Sequence, residues 1–354
     1  MTISDYSRCA QRIAEALRLQ ANERVLIKFD PRVFAPIIGP LQREIRKTHA
    51  VISAIVLAED TRDSSDAELF ALRRLFDDAD VFVWLPELNQ RNRPALAKAI
   101  VEWLDAERGR AVHFHWQSGS YRLGLEPLPS QDVIDSIYLE ALAVDPAKLD
   151  RNHQAAINLL RAGPVRVQTP EGTDIRFEVG DRPFSSQIGD ASAERIAFAR
   201  TRIDRDIELP AGVLRVAPRE TSANGSIFLT AWQPVVSEGR NLMLHFKNGR
   251  LESIEGTNGD AVLAELTAAG GAARMFREFA LGFNEAIRVR ERHPFIGYYG
   301  YGAGVVRLSL GDNEEMGGAN RGGGVYWNFI HNATVEAGNV VLAENGKLTT
   351  AVDT

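Results

Sequence analysis

Along the first 116 residues, apolar positions switch back and forth between two periods. Residues 6–20 set Cys9, Ala10, Ile13, Ala14, Ala16 and Leu17 at helical spacing. Asn22-Glu23 then turns the chain into the short apolar run 25–29, suited to a buried parallel strand. The same alternation predicts a helix from Pro31 to Thr48, a strand over 51–57, a helix over 64–79 and a strand over 80–86. It continues with a helix from Pro94 to Glu107 and a strand over 111–116. Serine ahead of Asp-Ala-Glu opens the 64–79 helix with a cap and an acidic first turn. Strands alternating with helices imply right-handed crossovers and a parallel sheet covered on both faces, a three-layer α/β arrangement.

Helical pattern fills 130–160 and stops at Gly163, and the period then changes to two. Residues 164–184 read as two alternating strands around a Glu-Gly turn. Strand-and-turn character runs on to the end, interrupted by one predicted helix at 259–276. Glycine crowds the last third, at 297–304, 317–318 and 322–324, with aromatic residues interleaved, which points to turns and close backbone approaches. We therefore expect an α/β N-terminal domain, 1–155, followed by a β-rich α+β domain, 156–354.

Composition changes this picture little. Apolar residues make up 45% and charged residues 25%, values ordinary for a globular chain. A net charge of −6 argues against nonspecific nucleic-acid binding, which needs a basic footprint. No apolar run reaches the roughly 20 residues that span a bilayer, and the N-terminus has no apolar core or cleavage site of a leader. The expectation is a cytoplasmic protein with neither nucleic acid nor membrane as partner. The single cysteine, Cys9, has no internal partner for a disulfide.

Five segments of the second half resemble, in order, motifs of the thermophilic-type metallo-aminopeptidases, the aminopeptidase T and aminopeptidase S group. They are VQTPEGTDIRFEVGDRPF (167–184), ELPAGVLRVAPRETSANGSI (208–227), REFALGFN (277–284), GVVRLSLGDN (304–313) and GGANRGGGVYWNFI (317–330). The resemblance covers nearly the whole chain, and it implies the family's two-domain fold and a homodimer. It also implies a pair of divalent cations held by Glu, Glu, His, His and Asp. Carried over position by position, that ligand set is Val213, Glu278, Arg307, Tyr326 and Asn328. Only Glu278 is kept. Valine has no lone pair, and neutral Asn and Tyr are poor substitutes for carboxylate and imidazole. Arginine is permanently cationic and repels a dication. The expectation is no metal and no cofactor. The related iron-dependent dihydroxypyridine ring-opening dioxygenases keep a His-x-Asp pair in the last motif, which Tyr326-Trp327-Asn328 does not supply.

The resemblance sets Glu278 and Arg307 on one cavity, where the guanidinium replaces the metals' positive charge and pairs with Glu278, or grips a ligand carboxylate. A structural ion pair closing a vacated pocket is the alternative. Tyr326, Trp327, Trp232, Tyr298, Tyr299 and Tyr301 line an aromatic pocket or pack the core. Asn328 orients a ligand carbonyl or closes a turn, and His331 or His293 supplies a general base or sits at the surface. Arg182 meets a substrate carboxylate or an acidic neighbour. His113 and His115 share a strand face without an evident third ligand. The candidate catalytic set is thus Glu278, Arg307, Tyr326, Asn328 and His331, and the candidate binding set is Arg182, Trp232, Tyr301 and Trp327. Three functions remain open. One is a metal-independent binding protein or repurposed enzyme, of hydrolase descent, for a small carboxylated or peptide-like ligand in a biosynthetic or catabolic pathway. Another is an active metal-dependent aminopeptidase with a site rebuilt from Glu278, Glu314, Glu315, His331 or His293. The third is a non-catalytic scaffold or peptide-binding partner that pairs with a paralogue.

Overall fold

The apolar runs of the first half become the strands of one parallel sheet. In the computed structural model, which describes residues 2–57, 65–86, 94–116, 119–124, 126–232 and 238–353, the chain divides into two compact units. The first comprises residues 1–118, 130–143 and 189–211. Its strands are β1 (Arg24–Phe29), β2 (Val51–Leu57), β3 (Val81–Leu85), β4 (Arg110–Phe114) and β9 (Asp206–Leu209), all parallel in the order β2-β1-β3-β4-β9. Its helices are α1 (Ile3–Leu17), α2 (Pro31–Lys47), α3 (Asp66–Asp77), α4 (Pro94–Asp105), α5 (Gln131–Ala141) and the short α7 (Ala193–Ile196).

Period-two alternation decides which side chain meets which layer. Leu26, Phe82 and Ala111 point to one face, where they pack on Leu72, Phe76 and Trp103 of α3 and α4. Phe114 points to the other face and meets Phe34 of α2, ring centroids 6.0 Å apart. The sheet is therefore covered on both sides. Caps placed by sequence hold the helix starts: Ser65 Oγ accepts from Glu68 N, and the Asp30 carboxylate accepts from Arg32 N.

The second unit comprises residues 119–129, 144–188 and 212–354. It contains α6 (Pro146–Ala162), α8 (Gly259–Ala269) and three antiparallel sheets. The small one pairs β5 (Tyr121–Arg122) with β15 (Phe295–Ile296). The largest sheet runs β13-β12-β11-β7-β6-β19-β20-β21. Its strands are β6 (Val165–Gln168), β7 (Asp174–Phe177), β11 (Asn224–Ala231), β12 (Arg240–Lys247), β13 (Arg250–Thr257), β19 (Thr334–Ala337), β20 (Val340–Glu344) and β21 (Lys347–Leu348). The hairpin expected around Glu171-Gly172 is β6–β7, with Gln168 opposite Asp174.

The third sheet runs β17-β16-β14-β10-β8, with β18 also paired to β16. Its strands are β8 (Phe184–Gln187), β10 (Val213–Val216), β14 (Phe276–Gly282), β16 (Val306–Gly311), β17 (Val325–Tyr326) and β18 (Phe329–Ile330). Every residue of β10, β14 and β16 is buried, so this sheet forms a core even where it carries charge.

The helix expected over 259–276 stops at Ala269. Gly270 and Gly271 follow with φ of 67° and 47°, and a Cβ on Gly271 would lie 2.7 Å from the Arg321 carbonyl oxygen. Glycine is required at that approach, and it turns the chain out of the helix into β14. Among the described residues, no helix is long and apolar enough to cross a membrane.

Candidate functional site

One cross-strand rung organises the charged centre of the second unit. Arg215 on β10 stands opposite Ala280 on β14, and Ala280 stands opposite Arg307 on β16. The small alanine leaves space between the two guanidiniums. Glu278 lies two residues before Ala280, on the same face, and reaches into that space.

A β-bulge brings the third cation. Phe276 pairs with Leu310 and Glu278 with Ser309, so Arg277 is an extra residue in the ladder. In a regular strand Arg277 would point away from Glu278. The bulge re-aims it, and Arg277 Nη1 donates to Glu278 Oε2. Arg215 Nε donates to Glu278 Oε1 at 2.6 Å, and Arg307 Nη2 donates to the same oxygen at 2.7 Å. Ser309 Oγ donates to Oε2 at 3.3 Å. Glu278 thus accepts four hydrogen bonds, about as many as a carboxylate has lone pairs. The group is completely buried. Burial alone would push its pKa up, but Arg215, Arg307 and Arg277 together outweigh that and hold it well below the usual carboxylate range.

Glu315, on the turn after β16, closes the cluster from its far side. Its Oε1 accepts from Arg215 Nη2 at 2.8 Å and from Arg277 Nη2 at 2.5 Å. Two carboxylates and three guanidiniums leave one net positive charge. Arg307 Nη1 donates to the Tyr299 carbonyl at 2.8 Å, and the Tyr301 and Trp327 rings flank its guanidinium at 5.9 and 5.8 Å.

The remaining sequence candidates separate into groups. Tyr301 and Trp327 accompany Arg307. Trp232 and Tyr326 instead stack on each other, ring centroids 5.9 Å apart at 23°, and burial raises the Tyr326 pKa. Buried Asn328 exchanges bonds with Leu308: its Nδ2 donates to the Leu308 carbonyl at 3.1 Å, and its own carbonyl accepts from Leu308 N at 2.9 Å. Arg182 pairs with Glu220 and donates to the Gly317 carbonyl at 3.1 Å. Glu314 pairs with Arg321 at 3.1 Å. Among the described residues, no group of three or more His, Cys, Asp or Glu side chains is placed to hold a metal ion.

His331 lies in a cleft of about 240 Å3 within the second unit. Trp327 and Asn328 line the same cleft, together with residues 228–231 of β11, Arg122 and Glu171. Asn332 Nδ2 donates to Glu171 Oε1 at 2.8 Å. Burial lowers the His331 pKa from its ordinary value, with Glu171 pulling the other way, so the imidazole is neutral at pH 7 and able to accept a proton. Trp327 joins the two regions, touching Arg307 on one side and the cleft on the other.

No family model and no curated protein sequence matches this chain. Solved structures do. Wild-type AmpT from Thermus thermophilus superposes with a TM-score of 0.68 at 15% identity, over 99% of this chain and 100% of that one. The 2,5-dihydroxypyridine dioxygenase from Pseudomonas putida KT2440 gives a TM-score of 0.66 at 15% identity, over 98% and 97%. The chain therefore has an aminopeptidase T-like fold, in agreement with the resemblance of its motifs.

Proposed function

We propose that this aminopeptidase T-like chain has exchanged the family's metal pair for a buried arginine cluster. In this reading it binds, and if catalytic acts without metal on, a small carboxylated or peptide-like ligand of a biosynthetic or catabolic pathway. The supporting observation is the saturation of Glu278. A carboxylate that already accepts from Arg215, Arg277, Arg307 and Ser309 has no lone pair left for a cation. Repulsion adds to this. At an effective dielectric near 20, a dication about 4 Å from one guanidinium is opposed by roughly 8 kcal/mol. The residues at the family's ligand positions therefore do not fit two divalent metals.

Glu278 and Arg307 hold the architecture in this reading, and ligand contact falls to the cleft beside them. Trp327 offers an aromatic wall, Asn328 a polar edge, and neutral His331 a base within reach of a bound molecule. Elemental analysis of the purified chain tests the first half of the proposal, and two equivalents of zinc, cobalt, manganese or iron per chain would overturn it. Thermal-shift measurements with di- and tripeptides and aromatic acids test the second half. A rise in melting temperature with a carboxylated compound is expected. A flat response to all of them would leave the scaffold reading in its place.

A further inference from the structure

The cleft is lined by two unbroken runs of sequence, residues 228–231 and 327–332. Side chains along a strand alternate between faces, so a wall made of one strand face would show every second residue. Consecutive residues on a wall mean that the strand presents its edge, where the backbone N–H and C=O groups lie. The pairing of β11 agrees. On one side β12 accompanies it from Gly225 to Ala231, but on the other side β7 pairs only with Asn224, Gly225 and Ser226. Among the described residues, no strand accompanies 227–231 on that second side.

The direction of the backbone groups can be read from one bond. Phe228 N–H donates to Thr173 Oγ1 at 2.9 Å, so it points away from β12. Thr230, two residues on, lines the cleft at a position for which the β11–β12 register gives no partner. Gly124, with φ of 60°, approaches the Thr230 methyl, where a Cβ would stand 3.4 Å from Cγ2. This keeps the opposing loop close without covering the edge with a side chain.

We propose that this cleft takes a short peptide in extended form, added as a strand to the free edge of β11. Thr230 N–H donates to a ligand carbonyl, and ligand N–H groups donate to carbonyls of the same edge. Arg122 and Glu171 supply one charge of each sign on the walls, matching the two termini of a zwitterionic peptide. A volume of about 240 Å3 lies below the range of roughly 300–1,000 Å3 usual for drug-sized ligands, so the peptide is short. The inference rests on the reading that this unit binds a carboxylated or peptide-like ligand, and it specifies main-chain recognition.

The test uses the intact chain and Trp327 fluorescence or calorimetry. The tightest binder of a panel of unmodified di- and tripeptides is compared with the same peptide methylated on its peptide nitrogen, and with benzoate. Methylation should weaken binding about tenfold, the loss expected when a buried acceptor is left unmet. In the protein, Thr230→Pro removes the edge N–H and should weaken the parent peptide by a similar factor. Proline is tolerated where an edge N–H faces away from the sheet, and the methylated ligand decides the matter should that variant fail to fold. Equal binding of parent and methylated peptide would overturn strand addition and leave the wider proposal standing. Absence of binding by every peptide and by benzoate would overturn both.

Discussion

Each unit encloses titratable groups, and the two handle the cost of burial in opposite ways. In the second unit Glu278 stays charged because three guanidiniums surround it. In the first, His113 and His115 lie with rings 3.8 Å apart, and His113 stacks on Trp84 at 4.0 Å and 10°. Enclosure lowers both pKa values, that of His115 to about 3, so the pair is neutral. Asp206 stands 3.8 Å from His113, and the shift remains downward. One site is fixed by compensation, the other by giving up the proton. A compensated charge makes every partner indispensable, whereas a neutral aromatic stack tolerates replacement by another ring.

That contrast orders the expected effects. Glu278→Ala removes the carboxylate that three buried cations share, leaving only Glu315 to Arg215 and Arg277, and breaking such a cluster costs about 3–5 kcal/mol. Urea unfolding should show the loss, and a change under 1 kcal/mol would mean that the arginines find water. Arg307→Met is expected to be milder, about 1.5–3 kcal/mol, because Arg215 and Arg277 still bond Glu278. If the two variants proved equally destabilised, the arginines would act as an indivisible set.

Acid should expose both sites, by different routes. The folded pKa of Glu278 lies below its unfolded value, so its contribution is complete above the ordinary glutamate range. It is lost progressively as pH falls from there toward the depressed value. The histidines begin to act at higher pH. Below about 6.5 the unfolded chain takes up protons that the folded pair refuses, so stability falls as pH drops. His115→Phe should cost less than about 1.5 kcal/mol at pH 7 and flatten the decline between pH 6.5 and 5. Glu278→Gln should leave that window unaltered and change the slope below the glutamate range. Thermal midpoints measured from pH 8 to pH 3 separate the two, and an unchanged slope in His115→Phe would remove the histidines from the account.

The sequence carried much of this, unevenly. Alternating periods in the first half gave four of the parallel strands, because helix and strand periodicity are local properties. The fifth strand, Asp206–Leu209, returns from far along the chain and leaves no local sign of its partner. Glu278 and Arg307 were legible as a pair through motif resemblance, and the structure sets them 2.7 Å apart. Arg215 and Arg277 were not. Arg215 sits two residues beyond Val213, the position the motif drew attention to, yet on the same strand face. Arg277 would be read as facing away from Glu278 unless the bulge were known. Aromatic residues were legible as a set but not as a partition: Tyr301 and Trp327 serve Arg307, while Trp232 and Tyr326 serve each other. Arg182 was open to either a substrate carboxylate or an acidic neighbour, and its ion pair is with Glu220. Cleft residues Arg122 and Thr230 carry no motif, and Glu171 was legible only as part of a turn. Only the third dimension assembles them, and a strand edge is made of atoms that every residue shares.

The bulge at Arg277 has a further consequence for how such a site changes over generations. A single extra residue acts like a frame shift confined to one strand: it reassigns which letters face inward while the flanking ladder keeps its pairing. A lineage can thereby gain or lose an inward charge through one insertion, without rewriting the strand around it. Removing one residue at this point should turn Arg277 outward in one step, and the cluster would become two cations against two anions.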